Sequence, residues 1–307
     1  MTQPTYHRVC LLLLTLLLAM PLTVIAQESA EAEGVERPWS LGITLGHGRK
    51  SNPFVASDDV DLTAVLDLAW YGERFFFDNG DIGMSLSETA RFSLSAVFGF
   101  NNERNYFSYL SNGNSGVDIF NLRELASEVG FSISGTGAAQ DLDTLSVEEL
   151  EEIVFQDLDS DLPERDFAVN GGLEALYLTP WGDLQAQLLT DVSGTHNGQS
   201  AFVSWSYPWI LQRSEFSVSL GLEWKSRDLV DYYYGVRASE ALPGRPIYHA
   251  GSGTNSVVRF AGKHALSRHW HLVGVVEREF LGSSIKASPI IKDATVDTVY
   301  FGLSYQF

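Results

Sequence analysis

Cysteine is almost missing: the 307 residues contain one, Cys10, set in an apolar run near the start. That run, residues 9–20, follows His7 and Arg8 and precedes Val24-Ile25-Ala26, the layout of a secretory leader cut after Ala26. A chain cut there carries no thiol, which excludes disulfides, thiol catalysis and cysteine-ligated metals. Positive charge is also scarce. Lys and Arg number 20 against 39 Asp and Glu, a net charge of −19, which argues against nucleic acid as a partner. Beyond residue 26 no apolar run approaches the roughly 20 residues that a membrane-spanning helix needs. There is no phosphate-binding glycine loop, and His47, His249, His264, His269 and His271 lack the paired spacing of a zinc site.

What the chain has in quantity is alternation with a period of two. In the last stretch, Val299, Phe301, Leu303, Tyr305 and Phe307 fall on one face of an extended strand, and Thr298, Tyr300, Gly302, Ser304 and Gln306 on the other. A lipophilic strand ending in Phe307 is what a transmembrane β-barrel needs to close against its first strand. Residues 39–48 repeat the pattern, with Trp39, Leu41, Ile43 and Leu45 outward against Ser40, Gly42, Thr44 and Gly46. In residues 60–70, Leu62, Ala64, Leu66, Leu68 and Trp70 are expected outward, and Asp61, Thr63 and Asp67 inward. Residues 91–101, 166–178, 183–192, 199–207, 215–225, 256–266 and 270–281 complete the set.

Residues 73–87 are ambiguous. Asn79-Gly80 is a strong hairpin signal, yet two turns would leave strands shorter than the roughly 9–11 residues that span a bilayer. An even strand number, with both termini periplasmic, selects an all-β antiparallel barrel of about twelve strands, with ten as the fallback. The expected organisation is a leader (1–26), a periplasmic lead (27–38) and the barrel (39–307). Residues 102–165 break the pattern: fourteen Asp and Glu against three Arg give −11. The capping box Ser146–Glu149 predicts a short helix there, and 120–129 another, so the segment reads as an acidic, partly helical extracellular insert.

The inward face is expected to carry Asp61, Asp67, Arg91, Glu174, Glu223, Lys225, Arg259, Lys263, Glu277 and Glu279. Such groups form either a filled ion network or the lining of a narrow channel for small solutes; a twelve-stranded barrel is near the size that side chains still fill. Residues 226–254 read as a long loop whose Tyr232, Tyr233, Tyr234 and Tyr248 are exposed for recognition, or packed on themselves or on lipopolysaccharide. An outer-membrane lipid hydrolase built on Asp191, His196 and Ser200 is the weaker alternative, because Asn197-Gly198 is a turn signal and need not bring His196 and Ser200 together.

Several runs, in order, resemble the MipA/OmpV family. They are residues 71–76 (YGERFF), 191–198 (DVSGTHNG), 231–236 (DYYYGV), Glu240-Ala241 with Pro243-Gly244, Tyr248–Gly251, 288–293 (SPIIKD) and the closing 302–307 (GLSYQF). The resemblance covers about 39–101 and 166–307; the 102–165 insert is longer than the family pattern leads one to expect. It implies an outer-membrane barrel without enzymatic activity or cofactor. It also implies a scaffold linking a murein transglycosylase and transpeptidase to the outer membrane, surrounded by lipid and lipopolysaccharide.

Overall fold

The computed structural model of the chain describes residues 39–55, 57–101, 103 and 165–307. The expected leader, the lead and the helical stretches of the 102–165 insert lie outside these residues. The chain runs through β1 (Trp39–Lys50), β2 (Val60–Tyr71), β3 (Phe75–Asp78), β4 (Asp81–Glu88), β5 (Phe92–Phe100), β6 (Val169–Thr179), β7 (Gly182–Asp191), β8 (Gln199–Leu211) and β9 (Ser214–Lys225). Helix α1 (Arg227–Tyr234) and a 3-10 turn (Ala238–Glu240) precede β10 (Gly253–Ala265) and β11 (Trp270–Phe280), and α2 (Ser283–Lys286) precedes β12 (Thr295–Gln306). Every strand pairs antiparallel with its sequence neighbour, and β12 pairs with β1, so the twelve strands close into a barrel.

Closure depends on two facing glycines, Gly46 and Gly302. A Cβ on Gly46 would lie 2.3 Å from the Phe301 carbonyl oxygen, so only a residue without a side chain lets these strands meet. On β12 the alternation is as expected. Phe301 and Leu303 are exposed, while Tyr300, Thr298 and Ser304 are buried in the lumen. The outer surface bears a wide apolar belt that includes Leu45, Phe98, Leu188, Val203, Leu222 and Val276. Toward the end where β1 begins and β12 stops, stacked rings thicken it: Trp205, Tyr207, Trp209, Phe216 and Phe260 form one ladder, and Trp270, Tyr305 and Phe307 another. Aromatic girdles of this kind sit at bilayer interfaces. The β2–β3, β4–β5, β6–β7, β8–β9 and β10–β11 turns lie at this end with the start of β1 and the end of β12, which marks it as periplasmic.

Residues 73–87 form two strands, as the count of twelve requires; β3 has only four residues and pairs with β2 over Ala69–Tyr71 alone. Asn79 ends that ladder: its N–H donates to the Leu68 carbonyl (2.9 Å) and its Oδ1 accepts from the Leu68 N–H (2.8 Å). Three other expectations change. Asp61 points outward, not into the lumen. The β1–β2 register shifts between Leu45 and Gly48, so the upper end of β2 reverses its faces, burying Val60 and Leu62 and exposing Asp61. Arg91 lies in the exposed β4–β5 turn rather than on a strand. Finally, the 226–254 segment is not an open loop, for it contains α1.

Candidate functional site

Three extracellular connections fold together over the barrel mouth. They are the β1–β2 loop, the β9–β10 segment with α1, and the β11–β12 segment with α2. Within 227–234, Leu229, Val230, Tyr233 and Tyr234 recur at helical spacing and are the buried side of α1. They pack with Phe54, Val236, Ala250, Leu281, Ile285, Ile290 and Val296 into one cluster, each at most 4 % exposed. Phe54 stacks on Tyr234 with ring centroids 5.6 Å apart and planes 11° from parallel. Polar contacts tie the pieces together. Ser288 Oγ donates to the Tyr234 carbonyl (2.6 Å), Tyr248 Oη to the Ser284 carbonyl (2.7 Å), and Lys292 Nζ to the Ser57 carbonyl (2.9 Å).

The four tyrosines of the expected recognition loop are therefore not an exposed rim. Tyr233 and Tyr234 are buried, and Tyr232 and Tyr248 half-buried. The reason is area: aromatic rings bury more apolar surface than other side chains, and an amphipathic turn above an open barrel has a core to fill.

Beneath the cluster lies a layer of buried charge. Lys225 contacts the Glu103 carboxylate and reaches Glu223 Oε2 at 3.1 Å. The Tyr234 hydroxyl donates to the other Glu103 oxygen. Burial first, and then that carboxylate, hold the phenol far above its ordinary pKa, so it remains a donor. Alongside, Asn255 Nδ2 donates to Glu279 at 2.6 Å while its Oδ1 accepts from the Gly282 N–H. Arg165, its side chain fully buried, donates to Glu240 (2.9 and 3.3 Å) and to the Gly235 carbonyl (3.1 Å). Burial alone raises the Glu240 pKa, but the hydrogen bonds from Arg165 and the Arg237 N–H bring it below the ordinary carboxylate value. Glu103 and Arg165 flank the acidic insert in sequence, so both of its ends are fastened to the cap.

Of the ten expected lumen groups, Asp67, Glu174, Glu223, Lys225, Arg259, Lys263, Glu277 and Glu279 face inward, while Asp61 and Arg91 do not. Lys225 and Glu223 join Glu103 in the charge layer under the cap, and the others meet partners along the wall. Arg259 pairs with Glu277, Lys263 stands across from Glu215, Glu174 accepts from Gln185 and Gln187 (3.1 Å each), and Asp67 accepts from Asn79. On the β10–β2 side the lumen is filled by an apolar cluster of Val60, Leu62, Val65, Ala261, Val273, Val275 and Tyr300, as a barrel of this size allows.

The Asp191, His196 and Ser200 positions serve the β7–β8 loop. Asp191 Oδ2 accepts from the N–H groups of His196 (2.7 Å) and Asn197 (2.8 Å), and His196 Nδ1 accepts from the Gly198 N–H (2.8 Å). Ser200 lies on β8 across from Lys225. The His196 ring is buried against Tyr232 and Tyr233, and burial lowers its pKa although Asp191, Glu103 and Asp228 pull the other way.

Sequence reasoning missed Glu103, Arg165, Phe54, Ile285 and Ile290. It also missed helix α1, for which the spacing of Leu229, Val230, Tyr233 and Tyr234 was the available signal; the loop residues that cover it carry no period at all.

A closed antiparallel barrel with an apolar belt, aromatic girdles and short turns at one end is a transmembrane outer-membrane protein. Residues 43–307 match the family described as MltA-interacting protein MipA, and the chain belongs to that family. It is similar to the outer membrane protein OmpV of Vibrio cholerae, with 26 % identity over 68 % of this chain and 74 % of the relative. It also matches the MltA-interacting protein of Escherichia coli, with 22 % identity over 48 % of this chain, and spans 59 % of that relative's length. Among solved structures, the translocator domain of autotransporter NalP from Neisseria meningitidis overlays with a TM-score of 0.39 and 10 % identity over 90 % of each chain.

Proposed function

We propose that the protein is a non-enzymatic scaffold of the outer membrane, anchored by its barrel and presenting its periplasmic turns to murein-processing enzymes. The name of the Escherichia coli relative, an MltA-interacting protein, supplies the partner class, a murein transglycosylase, with a transpeptidase as the further candidate. The observation that supports the scaffold over a diffusion pore is the cap: eleven side chains, ten from three connections and Val296 from β12, each at most 4 % exposed, packed together at the extracellular end. A solute path would have to displace that cluster and part Lys225 from Glu103. The test is capture of a purified lytic transglycosylase by the detergent-solubilised full chain. Binding should weaken when the turn residues Glu73 and Arg74 or Trp181 are replaced, and no binding to the intact protein refutes the scaffold.

A narrow, gated channel is the second reading. What favours it is the run of inward polar side chains, Glu174, Gln185, Gln187, Ser204, Ser206 and Ser219, on strands that contribute nothing to the apolar cluster. Steady ion-selective steps from the unaltered protein in a planar bilayer would establish it.

A further inference from the structure

The outer face of the barrel is not uniformly apolar. Among the described strand residues whose side chains point outward, Asp and Glu, Lys and Arg occur at four positions: Arg49, Asp61, Arg278 and Asp297. All four lie on contiguous strands, β11, β12, β1 and β2, and all lie near the extracellular end. On the other strands the corresponding outward positions hold Phe100, Val169, Thr190, Trp224 and Thr254. Arg278 stands between the outward residues Val276 and Phe280 and grips Asp297 through Nε (2.5 Å) and Nη2 (2.6 Å). Arg49 is opposite Asp61 in the β1–β2 ladder and pairs with Asp59 at 2.8 Å. Both arginine side chains are more than half exposed, 53 % and 55 %.

Charge on the lipid side of a barrel is costly at mid-membrane and cheap at the headgroups. Four such groups confined to one sector of one rim mark a place where the headgroup layer is met by design of charge rather than by indifferent polarity. The guanidinium is planar and suited to bidentate capture of phosphate. Arg278 spends two of its five N–H donors on Asp297, so the remaining edge can face a second anion.

We infer that the extracellular outer face of β11–β12–β1–β2 binds the phosphorylated headgroup of an outer-leaflet glycolipid, the lipid A phosphates of lipopolysaccharide. Arg49 and Arg278 contact phosphate, and Asp59 and Asp297 hold the guanidiniums in place. This rests on the outer-membrane location and not on the scaffold reading, which concerns the opposite end of the molecule.

The test extracts the full chain from outer membranes in mild detergent, washes it, and measures 3-hydroxy fatty acids per barrel as the count of bound lipid A. The wild type should retain lipid, and R49Q/R278Q should retain roughly tenfold less or lower. R49K/R278K, which keeps charge but loses the fork, should fall between them, and T190Q on the far side should match the wild type. Heat-modifiable migration on gels verifies folding; should R49Q/R278Q not fold, R278Q/D297N removes one whole ion pair and is read the same way. Equal retention by wild type and folded variant overturns the inference. So does displacement of the lipid by phosphatidylglycerol as effective as by lipid A, and so does a loss accompanied by halved sedimentation mass, which would make the face a contact between two copies.

Discussion

Truncating Phe54 to alanine removes a side chain of the β1–β2 loop that is fully buried in the cap and stacked on Tyr234. Phe→Ala at buried sites costs about 3–5 kcal/mol, the transfer and cavity contributions together. The barrel wall does not depend on Phe54, so the cost falls on the closed cap alone and changes its local opening rather than global unfolding. At about 1.4 kcal/mol per tenfold, the open-cap population should rise by roughly 10² to 10⁴. The assay is single-channel recording of purified protein, with F301A as control. Phe301 faces lipid and is 41 % exposed, so acyl chains fill the space it leaves. Wild type and F301A should be largely silent, and F54A should show frequent openings. If a folded F54A, verified by heat-modifiable migration, is as silent as wild type, or if the wild type already conducts steadily, then the cap does not close the lumen and the scaffold reading loses its support.

Other outcomes follow from the same contacts. Arg165→Met leaves Glu240 without its buried partner and should destabilise the cap by about 3–5 kcal/mol, read as faster hydrogen exchange across α1 and the Ala238–Glu240 turn. Gly46→Ala places a Cβ 2.3 Å from the Phe301 oxygen and should sharply reduce the yield of heat-modifiable barrel, while Gly244→Ala, at φ +89° in an exposed turn with open space around it, should cost about 1 kcal/mol of local strain and leave the barrel intact. His196 carries a pH prediction. Its pKa is lowered by burial in the closed cap and returns to about 6.5 when the loop opens. The open form therefore binds more protons, so closure weakens as pH falls below about 6.5 toward the folded value, and is at full strength above it. Proteolysis of the β7–β8 loop should accelerate between pH 7.5 and 5, and His196→Gln should flatten that dependence.

The wall of the barrel was legible because each spanning strand meets lipid on one side and the lumen on the other, which writes a period of two into the chain. Phe301, Leu303 and Leu45 announce their side without any tertiary information. The failures occur where that period is locally reset. Asp61 is misplaced because the β1–β2 irregularity sits between Leu45 and Gly48 on the partner strand, and nothing in residues 60–66 alone records a shift in the neighbouring strand. Arg91 is misplaced because a strand's alternation runs on through the first residues of a turn.

The cap illustrates a different limit. Tyr233 and Tyr234 lie between Asp231 and Gly235, outside any spanning segment, in a connection on the extracellular side, which is the description of an exposed loop. What buries them comes from Phe54 and Ile290, remote in sequence by far more than any helical or strand period. Local pattern reports a surface that needs covering; it does not report the cover. A barrel resolves its own hydrogen bonding by closure, so the apolar residues of its loops are free to be used on one another. In this chain they pack into one buried cluster at the extracellular end, and a buried Lys225–Glu103 pair beneath them fastens that cluster to the base of the acidic insert. The pair belongs to a group with Glu223 and the Tyr234 hydroxyl; such a group is costly to part by removing one member and nearly neutral to replace as a whole. Lys225→Met alone should therefore loosen the cap more than Lys225→Met with Glu103→Leu, Glu223→Leu and Tyr234→Phe, and hydrogen exchange of α1 in both variants separates a structural fastener from a lining charge. Equal exchange in the two would mean that the pair carries no part of the closure.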